Sequence, residues 1–250
     1  MEHGLNPLVA FAAHQLHWCL IFMGTVYAFK IRWILKHPAA KDRQAPTGEA
    51  DQTPDRGGWY SVFAIAMPWT LNSFREHPMM YAQFVIFHIC VATSIAMSFV
   101  FSYKPVWLAA PATVAAIQVI FAAGFAVGVY RLARRIFTPV MRMISSPDDF
   151  FSMALLLVWV AFSFLVIGQA PAFAVALGQL EASQVANPAL KDTPLIAYYF
   201  LTAFFLFYVP FSKISHYIYY PFTRWHFGRT MGHRGIYPLK RLDKMTAKGR

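Results

Sequence analysis

The sequence predicts an all-α integral membrane bundle of five transmembrane helices, with the N-terminus outside and the C-terminus in the cytoplasm. Hydrophobic residues make up 58% of the chain and charged residues 13%, more apolar surface than a soluble fold of this length can bury. Five apolar runs each reach the roughly 20 residues that cross a bilayer. Lys and Arg fall in the gaps between those runs and crowd on one side, as orientation signals do.

The first run is Leu8–Phe29. The residues ahead of it, MEHGLNPLVAF, carry no basic n-region and no small-residue cleavage pattern, so the run is expected to remain as a mature helix. A polar stretch follows, His37–Gly58, which reads as loop or partly disordered. Trp59–Leu71 is apolar but short and interrupted by Pro68, as suits an interfacial segment leading into the second helix. The remaining spans are expected at Pro78–Tyr103, Pro105–Tyr130, Phe150–Ala172 and Leu195–Pro221. Tryptophan and tyrosine recur near the segment ends (Trp59, Trp69, Tyr103, Trp107, Tyr217, Tyr219), where headgroup-level anchors belong. Gly124 and Gly128 form a GxxxG in the third span, which lets a neighbouring helix approach closely. Residues 1–222 thus read as the membrane domain. The basic tail, Thr223–Arg250, contains Gly228, Gly232 and Gly235. It reads either as a solvated segment on anionic lipid headgroups or as a docking strip for a cytoplasmic partner.

Of the 22 Lys and Arg, only Lys104 and Lys191 fall on the side assigned to the exterior, which places the C-terminus in the cytoplasm of a cell inner (plasma) membrane. The net charge of +11 does not form a nucleic-acid footprint, because it is spread through the inter-span gaps.

Two cysteines, Cys19 and Cys90, lie inside apolar runs, and there is neither a CxxC nor a CxxCH. The chain therefore cannot bind an iron–sulfur cluster unaided, and any haem is a non-covalent b-type group. His88 and His216 are the histidines deep in long apolar segments beyond the first helix, and such residues call for a purpose or a partner. His88 lies 13 residues past Arg75, and His216 five residues before Pro221. At about 1.5 Å per residue both reach the cytoplasmic half of the bilayer, on antiparallel helices that can clamp one macrocycle. Two axial imidazoles fill both open positions on the iron and make an electron carrier. Arg75, Lys213 and Arg224 lie at the cytoplasmic end, where propionates need donors. The other reading is that each histidine hydrogen-bonds a neighbouring helix. His14 and His17 share one face of the outer half of the first span. Bonding to a quinone carbonyl and bonding to a neighbouring helix stand side by side for that pair. His3, His37, His77, His226 and His233 read as solvated or lipid-facing.

The runs RRIFTPVMRMISSPDDFFSMALLLVWVAFSFL (Arg134–Leu165) and PFSKISHYIY (Pro210–Tyr219) resemble the membrane cytochrome b (gamma) subunit of respiratory nitrate reductase. The wider family includes membrane subunits of heterodisulfide-reductase-like and sulfate-reducer redox complexes, and the resemblance covers about Leu8–Arg229. It implies quinol chemistry in the membrane, with menaquinone or ubiquinone as mobile substrate, and electron exchange with a cytoplasmic iron–sulfur subunit. Other membrane subunits are compatible with it. The family pattern has two histidines in the second helix, ten apart, and two in the fifth, eighteen apart. His88 and His216 match one of each pair, while Ser98 and Tyr198 stand at the others. The resemblance then implies that the haem nearer the cytoplasmic partner is kept and the outer one lost.

The resulting expectation is a haem b electron-transfer subunit of a quinone-linked oxidoreductase complex, with one bis-histidine haem. The alternative is a haem-free anchor that recruits redox partners. A transporter fits poorly, because no carboxylate is expected within the spans and no broken-helix pair recurs in two halves.

Overall fold

Proline sets where most of the long helices start. It lacks the N–H that the first helical turn leaves unused, and its fixed φ suits that position. In the computed structural model, which describes residues 5–40, 42–67, 69–70 and 72–239, four of the five candidate spans begin on a proline. The helices are α1 (Pro7–Lys36), α2 (Pro54–Phe63), α3 (Asn72–Glu76), α4 (Pro78–Tyr103) and α5 (Pro111–Phe137), then α6 (Pro139–Met143), α7 (Pro147–Ile167), α8 (Ala170–Ala176), α9 (Asp192–Tyr208) and α10 (His216–His233). No strand occurs among the described residues. The runs long and apolar enough to cross a membrane are α1, α4, α5, α7 and Asp192–Phe211, so the expected all-α fold with five candidate spans is what the chain adopts. The third begins at Pro111 rather than Pro105, because Pro105–Leu108 winds as a separate 3-10 turn. The fourth begins at Pro147, where Ser146 and Asp149 form a capping box with Ser146 N donating to Asp149 Oδ2 at 2.8 Å.

The fifth departs most from expectation. Leu195–Pro221 is not one continuous helix: α9 stops at Tyr208, Val209–Phe211 and Lys213–Ser215 are 3-10 turns, and α10 starts afresh at His216. Pro210 cannot donate an intrahelical bond. Ser212 takes over locally, its Oγ bonding Val209 O at 3.1 Å and accepting from Ile214 N at 3.2 Å. The tail also differs. Residues 223–233, expected as part of the basic tail, continue α10 past Pro221. Pro68, Leu71 and residues 240–250, which belong to the expected interfacial segment and tail, lie outside the described residues.

The chain divides into two compact units. The first contains residues 1–26 and 83–214. At its centre is α7, half of whose apolar window is buried, against 6% for α1. The Trp159 ring of α7 stacks on Phe205 of α9 at 4.8 Å, and its Nε1 donates to Thr202 Oγ1 at 2.9 Å. Phe101 of α4 stacks on Phe173 of α8 at 4.8 Å. Such ring pairs contribute about 0.5–1.5 kcal/mol each beyond burial. A side chain at Gly124 would overlap Cys90 of α4, and one at Gly128 would strike Leu157 and Phe87, so the GxxxG face of α5 is the contact surface the sequence indicates. Phe22 of α1 stacks on Phe207 at 4.9 Å.

The second unit contains residues 27–82 and 215–250. Here α2 and α10 pack antiparallel through glycine. Gly57 faces Gly228 with no room for a Cβ on either, and Gly232 lies against the Thr53 carbonyl. Tyr220 OH donates to Val62 O at 3.0 Å and Arg224 Nε to Ser61 O at 3.3 Å, which fixes the register. Three further bonds strap the preceding loop to the end of α10. Thr47 N donates to His233 O at 3.1 Å, His233 Nε2 bonds Gln44 O at 2.7 Å, and Arg234 Nε bonds Asp42 Oδ2 at 2.8 Å. Between α2 and α10 the chain runs through α4, α5, α7 and α9.

Candidate functional site

His88 sits on α4 in the first unit, exposed, with Phe84 one turn below it. Its Nδ1 lies 2.7 Å from the Phe84 carbonyl, and the two rings are 4.1 Å apart. A carbonyl only accepts, so Nδ1 carries the proton and the lone pair of the neutral ring is on Nε2. That tautomer, fixed by a backbone acceptor, is the form in which histidine binds a metal.

His216 belongs to the second unit and is the first residue of α10, also exposed. Both its neighbours are pinned to Tyr27 of α1. Ser215 Oγ lies 3.0 Å from Tyr27 OH, and Tyr217 OH donates to Tyr27 OH at 2.9 Å. The break at Pro210–Ser215 therefore orients the start of α10 through hydroxyl groups that the sequence reading passed over.

The expected propionate partners fare differently. Lys213 is engaged within the first unit, its Nζ 2.7 Å from Asp149 Oδ2 and 2.8 Å from Ser146 Oγ. Arg224, in the second unit, bonds Ser61 O and lies over the Phe227 ring at 5.1 Å. Arg75 is exposed at the end of α3. His14 and His17 are exposed on α1 with ring centroids 6.1 Å apart. His17 Nδ1 bonds Ala13 O at 3.0 Å, and its ring meets the Tyr103 ring at 5.6 Å.

The resemblance points to Ser98 and Tyr198 as replacements for a second pair of ligands. Ser98 Oγ donates to Ile95 O at 2.7 Å. Tyr198 is buried and lines a cavity of about 10 Å³, shared with Ser94 and Ser163, that has room for one water.

A cluster absent from the sequence reading joins the two segments on which the resemblance rests. Asp148 Oδ1 accepts from Tyr208 OH and, at 3.3 Å, from Ser152 Oγ; its Oδ2 accepts from Lys213 N at 3.1 Å. Asp148 and Asp149 lie in the first turn of α7, just ahead of Phe150, where the fourth span was expected to begin. The Ser-x-x-Asp spacing of residues 146–149 is the capping signal that could have indicated it.

Among the described residues no group of three or more His, Cys, Asp or Glu is placed to hold a metal ion. A haem does not need such a group, because the macrocycle supplies four nitrogens and the protein only the axial pair.

The fold, with its five candidate membrane-spanning helices, defines a multi-pass membrane protein. No family model, curated protein or solved structure matches the chain.

Proposed function

We propose that the chain is a haem b electron-transfer membrane subunit of a quinone-linked respiratory complex. His88 Nε2 and His216 are the axial ligands of a single non-covalent haem. The observation that carries this reading is the hydrogen bond from His88 Nδ1 to Phe84 O, which fixes the ring in the tautomer of a histidine ligand. The pinning of both neighbours of His216 to Tyr27 supports it, since a ligand held between anchored residues is oriented before the metal arrives. A haem held there supplies one-electron chemistry. The protein's part is to hold both imidazoles, and Arg75 and Arg224 are the cations for the propionates. Ser98 and Tyr198, standing where the resembling family has histidines, favour one haem over two. His14 and His17 are the candidates for bonding a quinone headgroup, menaquinone or ubiquinone.

The Lys and Arg bias supports an orientation with the N-terminus outside and the C-terminus cytoplasmic, in a cell inner membrane. A cytoplasmic iron–sulfur subunit is the partner on that side. Reduced-minus-oxidised spectra of the purified chain test the proposal. One b-type haem per chain is expected, lost in both His88→Ala and His216→Ala. A spectrum without a Soret band in folded wild-type protein overturns it in favour of a haem-free anchor. The glycine-packed α2–α10 pair favours that second reading, because it is a folded platform whether or not a cofactor is bound.

A further inference from the structure

The α2–α10 pair buries its glycines and turns a set of aromatic rings outward. On α2 the residues Gly57, Gly58 and Ser61 are buried, whereas Arg56, Trp59 and Phe63, three and four residues apart, are exposed on the opposite face. Trp59 is 57% exposed and Phe63 52%, and their rings stack at 5.9 Å. Trp225 of α10, half-buried with its ring packed over Gly58, meets Trp59 edge-on at 4.9 Å and backs the cluster from α10.

Two facts say what lies against this face. The beginning of α10 is fastened to α1, a candidate span, through Tyr217 and Ser215 on Tyr27, and Tyr219 lies under Lys30 at 5.9 Å. The antiparallel register then sets the Phe63 end of α2 beside the beginning of α10, and the Thr53 end farther along it. The aromatic end of the pair is thereby held near the last turns of a membrane-crossing helix, where Lys30, Arg32 and Lys36 cluster. Tryptophan beside cations is the combination that settles at headgroup depth.

We propose that Trp59, Phe63 and Trp225 form an interfacial anchor that seats the α2–α10 pair in the headgroup layer of the bilayer crossed by the spans. Arg56 and the cations ending α1 face anionic phosphates there. The anchor needs no haem, so it stands or falls separately from the electron-transfer reading.

The full chain in lipid nanodiscs tests this by tryptophan quenching. The difference in emission between wild type and Trp59→Phe isolates Trp59 from the other tryptophans. That component is expected to be quenched by lipids brominated near the headgroup and shielded from aqueous iodide. Raising the phosphatidylglycerol fraction is expected to strengthen the bromolipid quenching in wild type and less so in Arg56→Gln. Should Trp59→Phe not yield folded protein, Phe63→Trp adds a reporter on the same face, read in the same way. Emission reached by iodide and untouched by brominated lipid overturns the proposal, since a face covered by a second copy or a partner protein behaves that way when it is bare.

Discussion

At Gly228 the place where a Cβ would project is already filled by the Gly57 carbonyl and the Ser61 Cβ. The obstacle on one side is backbone, so no rotamer change relieves it. Gly228→Leu is expected to cost about 1–3 kcal/mol or more through overpacking, read as a lowered thermal midpoint in detergent. Gly24, with open space around its Cβ position, provides the control: Gly24→Ala is expected to leave the midpoint unchanged or raise it slightly. From the sequence Gly24 falls in a span and Gly228 in the basic tail, and the obstacle at Gly228 is not legible there because it comes from a helix far away in the chain. His88 is a different case. Its position in an apolar run marks it as costly from sequence alone, and its i−4 acceptor is part of the same helix, so much of its surroundings was legible. The surroundings of His216 were not, because they depend on Tyr27 in another helix.

The loop ahead of α2 is ordered by what it finds at the end of α10. That end is a Schellman motif: Gly235, at φ 70, donates to Gly232 O at 3.1 Å, and Ile236 N donates to Met231 O at 2.8 Å. The turn presents Arg234 to Asp42, and this guanidinium, followed by the backbone N–H of Gln44, holds the Asp42 carboxyl below its ordinary range. A carboxyl depressed in the folded protein contributes stability that is complete above its unfolded pKa of about 3.9 and fades as pH falls through the lower folded value. Protease cutting within residues 42–52 is therefore expected to stay constant from neutral pH down to about 5 and to rise below about 4. Asp42→Asn is expected to show the faster cutting already at neutral pH. The composition of this stretch suggested looseness, since few of its residues can bury apolar surface. The order comes instead from polar contacts with residues that sequence proximity does not reveal. Span length and hydropathy, by contrast, are local properties, which explains why four of the five spans read almost as they fold. Pro210 was visible in the fifth, but whether α10 would continue or restart beyond it depended on the hydroxyl groups of Ser212 and Tyr27.

For the chain as a whole, the pairing of α2 with α10 constrains topology without reference to charge. A tag inserted in residues 42–52 and one placed after residue 239 are expected on the same side of the membrane, with a tag ahead of α1 on the other. Accessibility to a membrane-impermeant label in sealed vesicles measures this, and a split between the first two sites would show that one of α4, α5, α7 or α9 does not cross. The same pairing has a consequence for synthesis. Tyr220 and Val62, bonded in the finished protein, stand 158 residues apart. At about 5–20 residues per second the ribosome needs on the order of ten to thirty seconds to deliver one after the other. During that interval the glycine groove of α2 has no cover from α10. Nascent chains that stall or end before α10 would carry that bare groove with them, marking incomplete molecules for chaperones and proteases while finished ones conceal it.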